Sequence, residues 1–422
     1  MAELGNYKCS SCGGMLQFSS QKQMLVCTSC GSEFAVAQFN QTVMQQGETQ
    51  YQEKKDEWNV REDGLVVYEC KNCGGEVVGD SNMASTKCPY CDNPIVISSK
   101  FEGILRPDLV IPFKLDRKKA EAQLTNHINK VKLAPSAFKS GNHIKEMVGV
   151  YVPFWLYDAD VFGHVNFEAI KEEKHSDAQY NYVDKHYYDV MREGYISFDN
   201  VPADASQKMD DNLMDSIEPY NVAEAVPYSS AYLAGYVADR YDVGPEQCEH
   251  RAFKRMEQTT KDMLKSKVQG YNTVTEKMAN VQRVNERYKY ALYPVWILNT
   301  VWNGQKFTFA MNGQTGKLVG DVPYSKGKFW GVLLGVFAVL AGIIMAIIQF
   351  AGSGLTPKGG IGASVVALIV ALIVAFSLKG GTKSVHKGTK AQSFVRNGSF
   401  RITNYYDNFL RKTTERKPKN NQ

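Results

Sequence analysis

Eight of the nine cysteines stand in four C-x-x-C pairs within the first 91 residues. Cys9 and Cys12 are separated from Cys27 and Cys30 by fourteen residues, and Cys70 and Cys73 from Cys88 and Cys91 by fourteen. Four thiolates paired in this way can close a tetrahedral site around one metal ion. The spacer is long enough for a short hairpin that returns the second pair to the first. Gly13–Gly14 and Gly74–Gly75 follow the first pair of each unit, where the backbone must turn tightly with its amides toward the sulfurs. The spacing therefore predicts two small β zinc ribbons with rubredoxin-like knuckles, at 1–36 and 65–97.

Each ribbon is expected to hold one Zn2+. Four cysteines leave no open coordination position, so both sites read as structural rather than catalytic. Iron stays open, because all-sulfur tetrahedral ligation suits both metals. A unit this short cannot offset an ordering entropy of roughly 1–2 kcal/mol per residue from its own core. A structural zinc contributes on the order of 10–16 kcal/mol, which makes the metal the main stabiliser. The opening "MAELGNYKCS" has no apolar stretch of a secretory signal, so the thiols are expected in a reducing compartment, as ligands and not disulfides.

Charge separates the two ends of the chain. Of 422 residues, 22% are charged and 44% hydrophobic, a globular composition. Residues 1–97 carry 7 Lys/Arg against 12 Asp/Glu, and residues 379–422 carry 11 against 2. Within 7–36 the charged residues are Lys8, Lys22 and Glu33; within 65–97, Lys71 and Lys87 face Glu69, Glu76, Asp80 and Asp92. A zinc held by four thiolates adds a further negative charge to each ribbon. Nucleic-acid binding needs clustered cations, so the ribbons point instead to a protein partner or to structural service. Residues 37–64 are polar and Gln-rich and read as a linker.

Residues 98–325 read as an α+β domain with antiparallel strands. "RKKAEAQLTNHINKV" is an amphipathic helix with Ala120, Leu124, Ile128 and Val131 on one face, and "GPEQCEHRAFKRMEQTTKDMLKSKV" is a longer one opened by Pro245. Strand patterns lie around them at 149–170, 186–202 and 287–312. "YVPFWLYDADVFG" at 151–163 echoes "LYPVWILNTVWNG" at 292–304, aligning Pro153 with Pro294 and Trp155 with Trp296. Two related hairpins would form two halves of one sheet; chance recurrence of P-x-W beside a strand is the alternative. No catalytic constellation appears, so an enzyme is not expected. "NGQTGKLVG" lacks P-loop spacing and reads as a hairpin turn, and the seven histidines form no metal motif. Cys248 reads as a small buried apolar residue. The acidic "DASQKMDDNLMDSIEP" lacks the Gly and closing Glu of a calcium loop.

Two uncharged apolar runs follow, at 329–350 and 361–378. As helices they extend roughly 33 Å and roughly 27 Å, enough for an α-helical transmembrane hairpin over 326–382. Lys326 and Lys328 precede the first, Lys379, Lys383, Lys387 and Lys390 follow the second, and Lys358 stands alone between them. The positive-inside rule then expects a two-span cell-membrane protein with both termini cytoplasmic, Phe329 and Trp330 anchoring the inner interface. Small residues recur every fourth position, as Ala363, Ala367, Ala371 and Ala375 on the second run and Ala338, Gly342 and Ala346 on the first, with Gly331 and Gly335 as a further pair. Such ridges pack the hairpin on itself or join protomers. Residues 383–422 read as a basic cytoplasmic tail.

Over nearly its full length the chain resembles a bacterial family of membrane proteins with two N-terminal TFIIB-type zinc ribbons and a C-terminal transmembrane hairpin. The residues that carry the resemblance are the two C-x2-C-x14-C-x2-C units, "YVPFW", "LYPVWIL", "FAMNGQTGKLVGDVP" and the spans after them. The resemblance implies a membrane-anchored adaptor that recruits an SPFH (flotillin-like) scaffold, near phage-shock-type envelope-stress proteins. A membrane-tethered nucleic-acid-binding ribbon protein is the alternative.

Overall fold

The computed structural model of the protein describes residues 8–39, 65–70, 72–80, 88–91, 93, 95–97, 105–140, 147–350, 357–386, 388 and 390–419. All but the first three residues of the expected linker lie outside this set. At the front, β1 (Leu16–Ser19), β2 (Met24–Cys27) and β3 (Glu33–Phe34) make a separate three-stranded antiparallel sheet. β4 (Leu65–Cys70), β5 (Glu76–Asp80) and β6 (Ile95–Ile97) form the strands of the second ribbon. They are not separate: β5 pairs antiparallel with β11 (Val237–Asp239), so the second ribbon continues into the main 12-stranded sheet. Strand pairing thus crosses the boundary expected near residue 97.

The main sheet is built from a repeated β-α-β-β unit. Its first copy is β7 (Leu109–Val110), α1 (Arg117–Lys130), then, after a one-turn helix α2 (Ser136–Ser140), β8 (Val148–Ser176) and β9 (Tyr180–Asp204). A connecting stretch holds α3 (Asp211–Ile217) and β10 (Val226–Pro227). The second copy is β11, α4 (Pro245–Lys265), β12 (Thr273–Trp302) and β13 (Gln305–Asn312). β14 (Leu318–Gly320) closes the hairpin read from "NGQTGKLVG" by pairing with β13. Both predicted helices form as read: Ala120, Leu124 and Ile128 are buried on α1, and Pro245 opens α4, where its missing N–H leaves no helical bond unmade.

The echo between the two P-x-W segments is a repeat of hydrogen bonds. β8 and β12 are antiparallel neighbours, with Pro153 opposite Leu292 and Tyr151 opposite Pro294. β7 lies parallel to β12 through Leu109–Ala291, as β11 lies parallel to β8 through Val237–Val150. Trp155 Nε1 donates to Val243 O at 2.9 Å, and Trp296 Nε1 to Leu115 O at 3.1 Å. Tyr241 meets the Trp155 ring edge-on at 5.2 Å, and Phe113 meets Trp296 the same way at 5.1 Å. Both indoles are thus buried with their one donor satisfied, each by the opposite half, so neither half completes its core alone.

β8, β9 and β12 run 25 to 30 residues, far beyond the usual strand of about 5–6. α4 covers one face of their shared stretch. It can come close because Gly163 lies beneath it: a Cβ there would sit 2.8 Å from Leu264 and Thr260. The segment read as a basic tail holds β15 (Arg401–Pro418), which pairs along β9 from Tyr195 to Tyr180. Its residues are mostly exposed on both faces, so the alternation that marks a half-buried strand never appears in its sequence.

α5 (Lys326–Phe350) is long and apolar enough to cross a membrane. α6 (Pro357–Gly380) packs against it, and its described apolar part, Ser364–Gly380, is shorter. Ala367, Ala371 and Ala375 are fully buried, and Leu333, Phe329, Val336 and Phe337 pack against the last two. The small-residue ridge of the second helix is therefore used within the pair. The chain enters and leaves this pair side by side: Val322 N donates to Thr382 O at 2.9 Å, and Ser384 Oγ to Gly320 O at 2.8 Å.

Candidate metal centres

The eight predicted ligands form two tetrads: Cys9, Cys12, Cys27 and Cys30, and Cys70, Cys73, Cys88 and Cys91, each with all four sulfurs within 4.8 Å of one another. Measured contacts are Cys9–Cys30 at 3.6 Å, Cys12–Cys27 at 3.5 Å, Cys70–Cys91 at 3.4 Å and Cys73–Cys88 at 3.6 Å. A tetrahedral ion with metal–sulfur bonds of about 2.3 Å sets its sulfurs about 3.8 Å apart. A disulfide needs about 2.05 Å, and all nine cysteines are free. The donor set and its size therefore fit one four-coordinate metal ion per tetrad.

Local backbone geometry makes the cages. In each unit the first pair sits on a tight turn, with Gly13 N donating to Cys9 O and Gly74 N to Cys70 O, both at 2.8 Å. Gly13 and Gly74 have φ of +73° and +68°, which a side chain would strain. The second glycine serves space instead. A Cβ on Gly14 would sit 3.1 Å from Cys27 Sγ and 2.6 Å from Ser29 Oγ, and one on Gly75 would sit 3.2 Å from Cys73 Sγ. The glycine pairs flagged in the sequence thus divide the work between turning and clearance. Cys9, Cys27, Cys70 and Cys88 are buried, and Cys12, Cys30 and Cys73 lie at the surface.

Thiols this close cannot all ionise without a cation. Hydrogen bonds from Ser32 hold Cys30 down at about 6. Against the Gly14 amide, which lowers it, the neighbouring Cys30 and Cys27 push Cys12 up to about 12. In the second tetrad burial raises Cys91, but the Asn93 backbone and side chain bring it to about 6. A divalent ion would offset half the charge of four thiolates and replace this uneven sharing of protons.

The two cages are docked differently. The first ribbon shares a core with Ala231 and Ala234: Phe18 N donates to Ala234 O at 3.0 Å, and the Phe18 ring meets Tyr232 edge-on at 5.0 Å. Gln23 Nε2 donates to Phe113 O at 2.8 Å, and Gln21 bonds Asp116. In the second ribbon, Cys70 and Cys88 belong to the same core cluster as Val150, Phe154 and Tyr293. Asn299 Nδ2 donates to Pro89 O at 2.6 Å, Lys306 bonds Tyr90 O, and Lys208 Nζ lies 5.7 Å from the Tyr90 ring centre. None of these docking residues carried a local sequence signal, since each partner is remote in the chain. Cys248 is buried and its thiol donates to Asp204 O at 3.3 Å, with burial pushing it up to about 12.

No family model and no solved structure matches the chain. It is similar to the uncharacterized protein YdjG of Bacillus subtilis (strain 168), 30% identical over 329 residues, a match covering 65% of this chain and 96% of the relative. At that identity and coverage of the relative, the chain belongs to the family of Bacillus subtilis YdjG.

Proposed function

We propose that this protein is a membrane-anchored adaptor whose two zinc-stapled ribbons recruit a cytoplasmic partner, an SPFH (flotillin-like) oligomer of the envelope-stress response, to the bilayer. One observation carries the reading. Both cysteine tetrads are packed on a domain whose chain runs from β14 directly into the apolar α5. The side-by-side entry and exit at Val322 and Thr382 suit a hairpin of two spans with both flanks on one side of the membrane. The lysines at 326, 328, 379, 383, 387 and 390 favour the cytoplasm as that side. Zinc is the metal that a closed four-thiolate cage in a reducing compartment favours. Two ribbons on one chain offer two attachment points, so avidity for an oligomer exceeds either contact.

The test uses the full chain. Elemental analysis of reduced, chelator-free protein should give two zinc ions per chain, and iron as the dominant metal in protein from its host would replace that part of the reading. A fluorescent SPFH-domain partner should concentrate at the membrane with wild type and disperse with Cys9→Ser plus Cys12→Ser, while the chain itself stays in the membrane fraction. A partner that stays at the membrane when Cys9→Ser, Cys12→Ser, Cys70→Ser and Cys73→Ser are combined in one chain rules out recruitment by the ribbons. Binding of DNA that falls steeply with salt would favour the nucleic-acid reading instead.

A further inference from the structure

The repeated halves place Asp204 and Asn312 at equivalent positions, the last residues of β9 and β13. The next amide bonds the P-x-W proline in both: Ala205 N to Pro153 O at 3.0 Å and Gly313 N to Pro294 O at 2.8 Å. The carbonyl of that residue then accepts two amides, from Asp242 and Val243 in one half and from Lys114 and Leu115 in the other. Each side chain accepts from the amide two residues on, Asp204 Oδ1 from Ser206 N at 3.1 Å and Asn312 Oδ1 from Gln314 N at 2.9 Å.

The second atom of each side chain differs. Asn312 Nδ2 donates to Ile217 O at 3.1 Å and Pro219 O at 3.3 Å, so this position is saturated by the chain. Asp204 Oδ2 has no hydrogen-bond partner among the described residues, although Asp204 is only 2% exposed. Leaving a buried acceptor unmade is costly, so the site calls for a donor. Asp204 lines a cavity of about 490 Å³, together with Asp210, Asp211, Gln247, Cys248 and Arg251. Arg251, the one cation in that lining, is engaged by Asp211 at 2.6 Å and Asp215 at 3.2 Å. Asp210 caps α3 through Leu213 N at 2.9 Å. The wall therefore keeps an excess of negative charge.

We propose that the cavity beside Asp204 binds a small organic ammonium ion, whose N–H donors and charge complete the Asp204 carboxylate. Burial pushes that carboxyl well above the ordinary range, opposed by Arg251 and reinforced by Asp211 and Asp239, as expected of an acid short of a counter-charge. A divalent metal needs several oxygens converging on it. Among the described residues the groups that converge closely enough are the two cysteine tetrads, not this cluster. An ammonium, with three donors on one compact charge, needs a single buried carboxylate and polar walls. The acidic segment that failed as a calcium loop thus supplies a different kind of cation site. The site is independent of the adaptor reading.

The test is calorimetric titration of the detergent-solubilised full chain with 1,4-diaminobutane, and with 1,4-butanediol as a neutral match. The diamine should bind saturably at one site per chain, and the diol should not. Asp204→Asn keeps the acceptor for Ser206 and copies Asn312; it should weaken diamine binding at least about tenfold without lowering the melting temperature. Gln207→Trp, at an exposed rim position of the cavity, should weaken binding by occlusion and decides the matter if Asp204→Asn does not fold. No saturable binding of the diamine by wild type, or unchanged affinity in the folded variants, overturns the proposal.

Discussion

The two ribbons share a motif and a knuckle geometry, yet they stand in the molecule differently. The first keeps its own three-stranded sheet and joins the main domain by a small shared core with Ala231 and Ala234, one backbone bond, a ring pair and two glutamines, with no strand pairing between them among the described residues. The second lends β5 to the main sheet and places Cys70 and Cys88 in the main core. In the first, metal binding would be close to one local event with ribbon folding, because the ribbon's own core is small. In the second, the same ligation would also brace the strands that pair with β11. A motif read from spacing thus specifies a metal site, while the surroundings specify what its loss does.

The widest separation between them should come from ligand removal. Cys70→Ser with Cys73→Ser should lower the main unfolding transition by several kcal/mol, followed by fluorescence of the buried Trp155 and Trp296. Cys9→Ser with Cys12→Ser should leave that transition within about 1 kcal/mol and melt only the first ribbon, visible as fast amide exchange over 8–39. Equal effects would erase the distinction.

Next in size is the frame on which both ribbons rest. Trp155→Ala and Trp296→Ala should each cost about 3–5 kcal/mol, since each leaves a large void and removes a cross-half contact. A unit in which the two costs add without coupling would argue that the halves fold separately. Smaller again, Tyr232→Ala removes the ring under Phe18 and should loosen the first ribbon without touching its metal. The expected loss is about 1–3 kcal/mol of docking, measured as proteolysis near residue 39 with two metals still bound. Least of all, Glu76→Gln breaks the pair with Arg240 at 2.6 Å beside the second ribbon, and a partly exposed pair should cost at most about 1 kcal/mol in the same fluorescence assay.

The legibility of the fold follows how local its causes are. α1 and α4 were readable because a 3.6-residue period and a cap are written within a few turns. β15 was not, because an edge strand exposed on both faces has no alternating pattern and its stability comes from β9. The pairing of β5 with β11 joins residues far apart in the chain, and nothing in "EVVGD" names its partner. Pro153, Trp155, Pro294 and Trp296 were visible as an echo, but its meaning lay in bonds to Val243 and Leu115.

By itself, the sequence determined the two cysteine tetrads able to hold a metal, the turn glycines behind them, the long helices and the apolar segments near the end. Each rests on chemistry or periodicity confined to a short window, where residue type and spacing suffice. Tertiary structure alone decided that one ribbon keeps a sheet of its own while the other is part of the main sheet. It also decided that the basic end is a strand, and that Asn312 is saturated while its counterpart Asp204 lines a cavity. The physical reason is the same in every case: hydrogen bonds and burial between segments remote in the chain depend on where the backbone brings them, which no local pattern records.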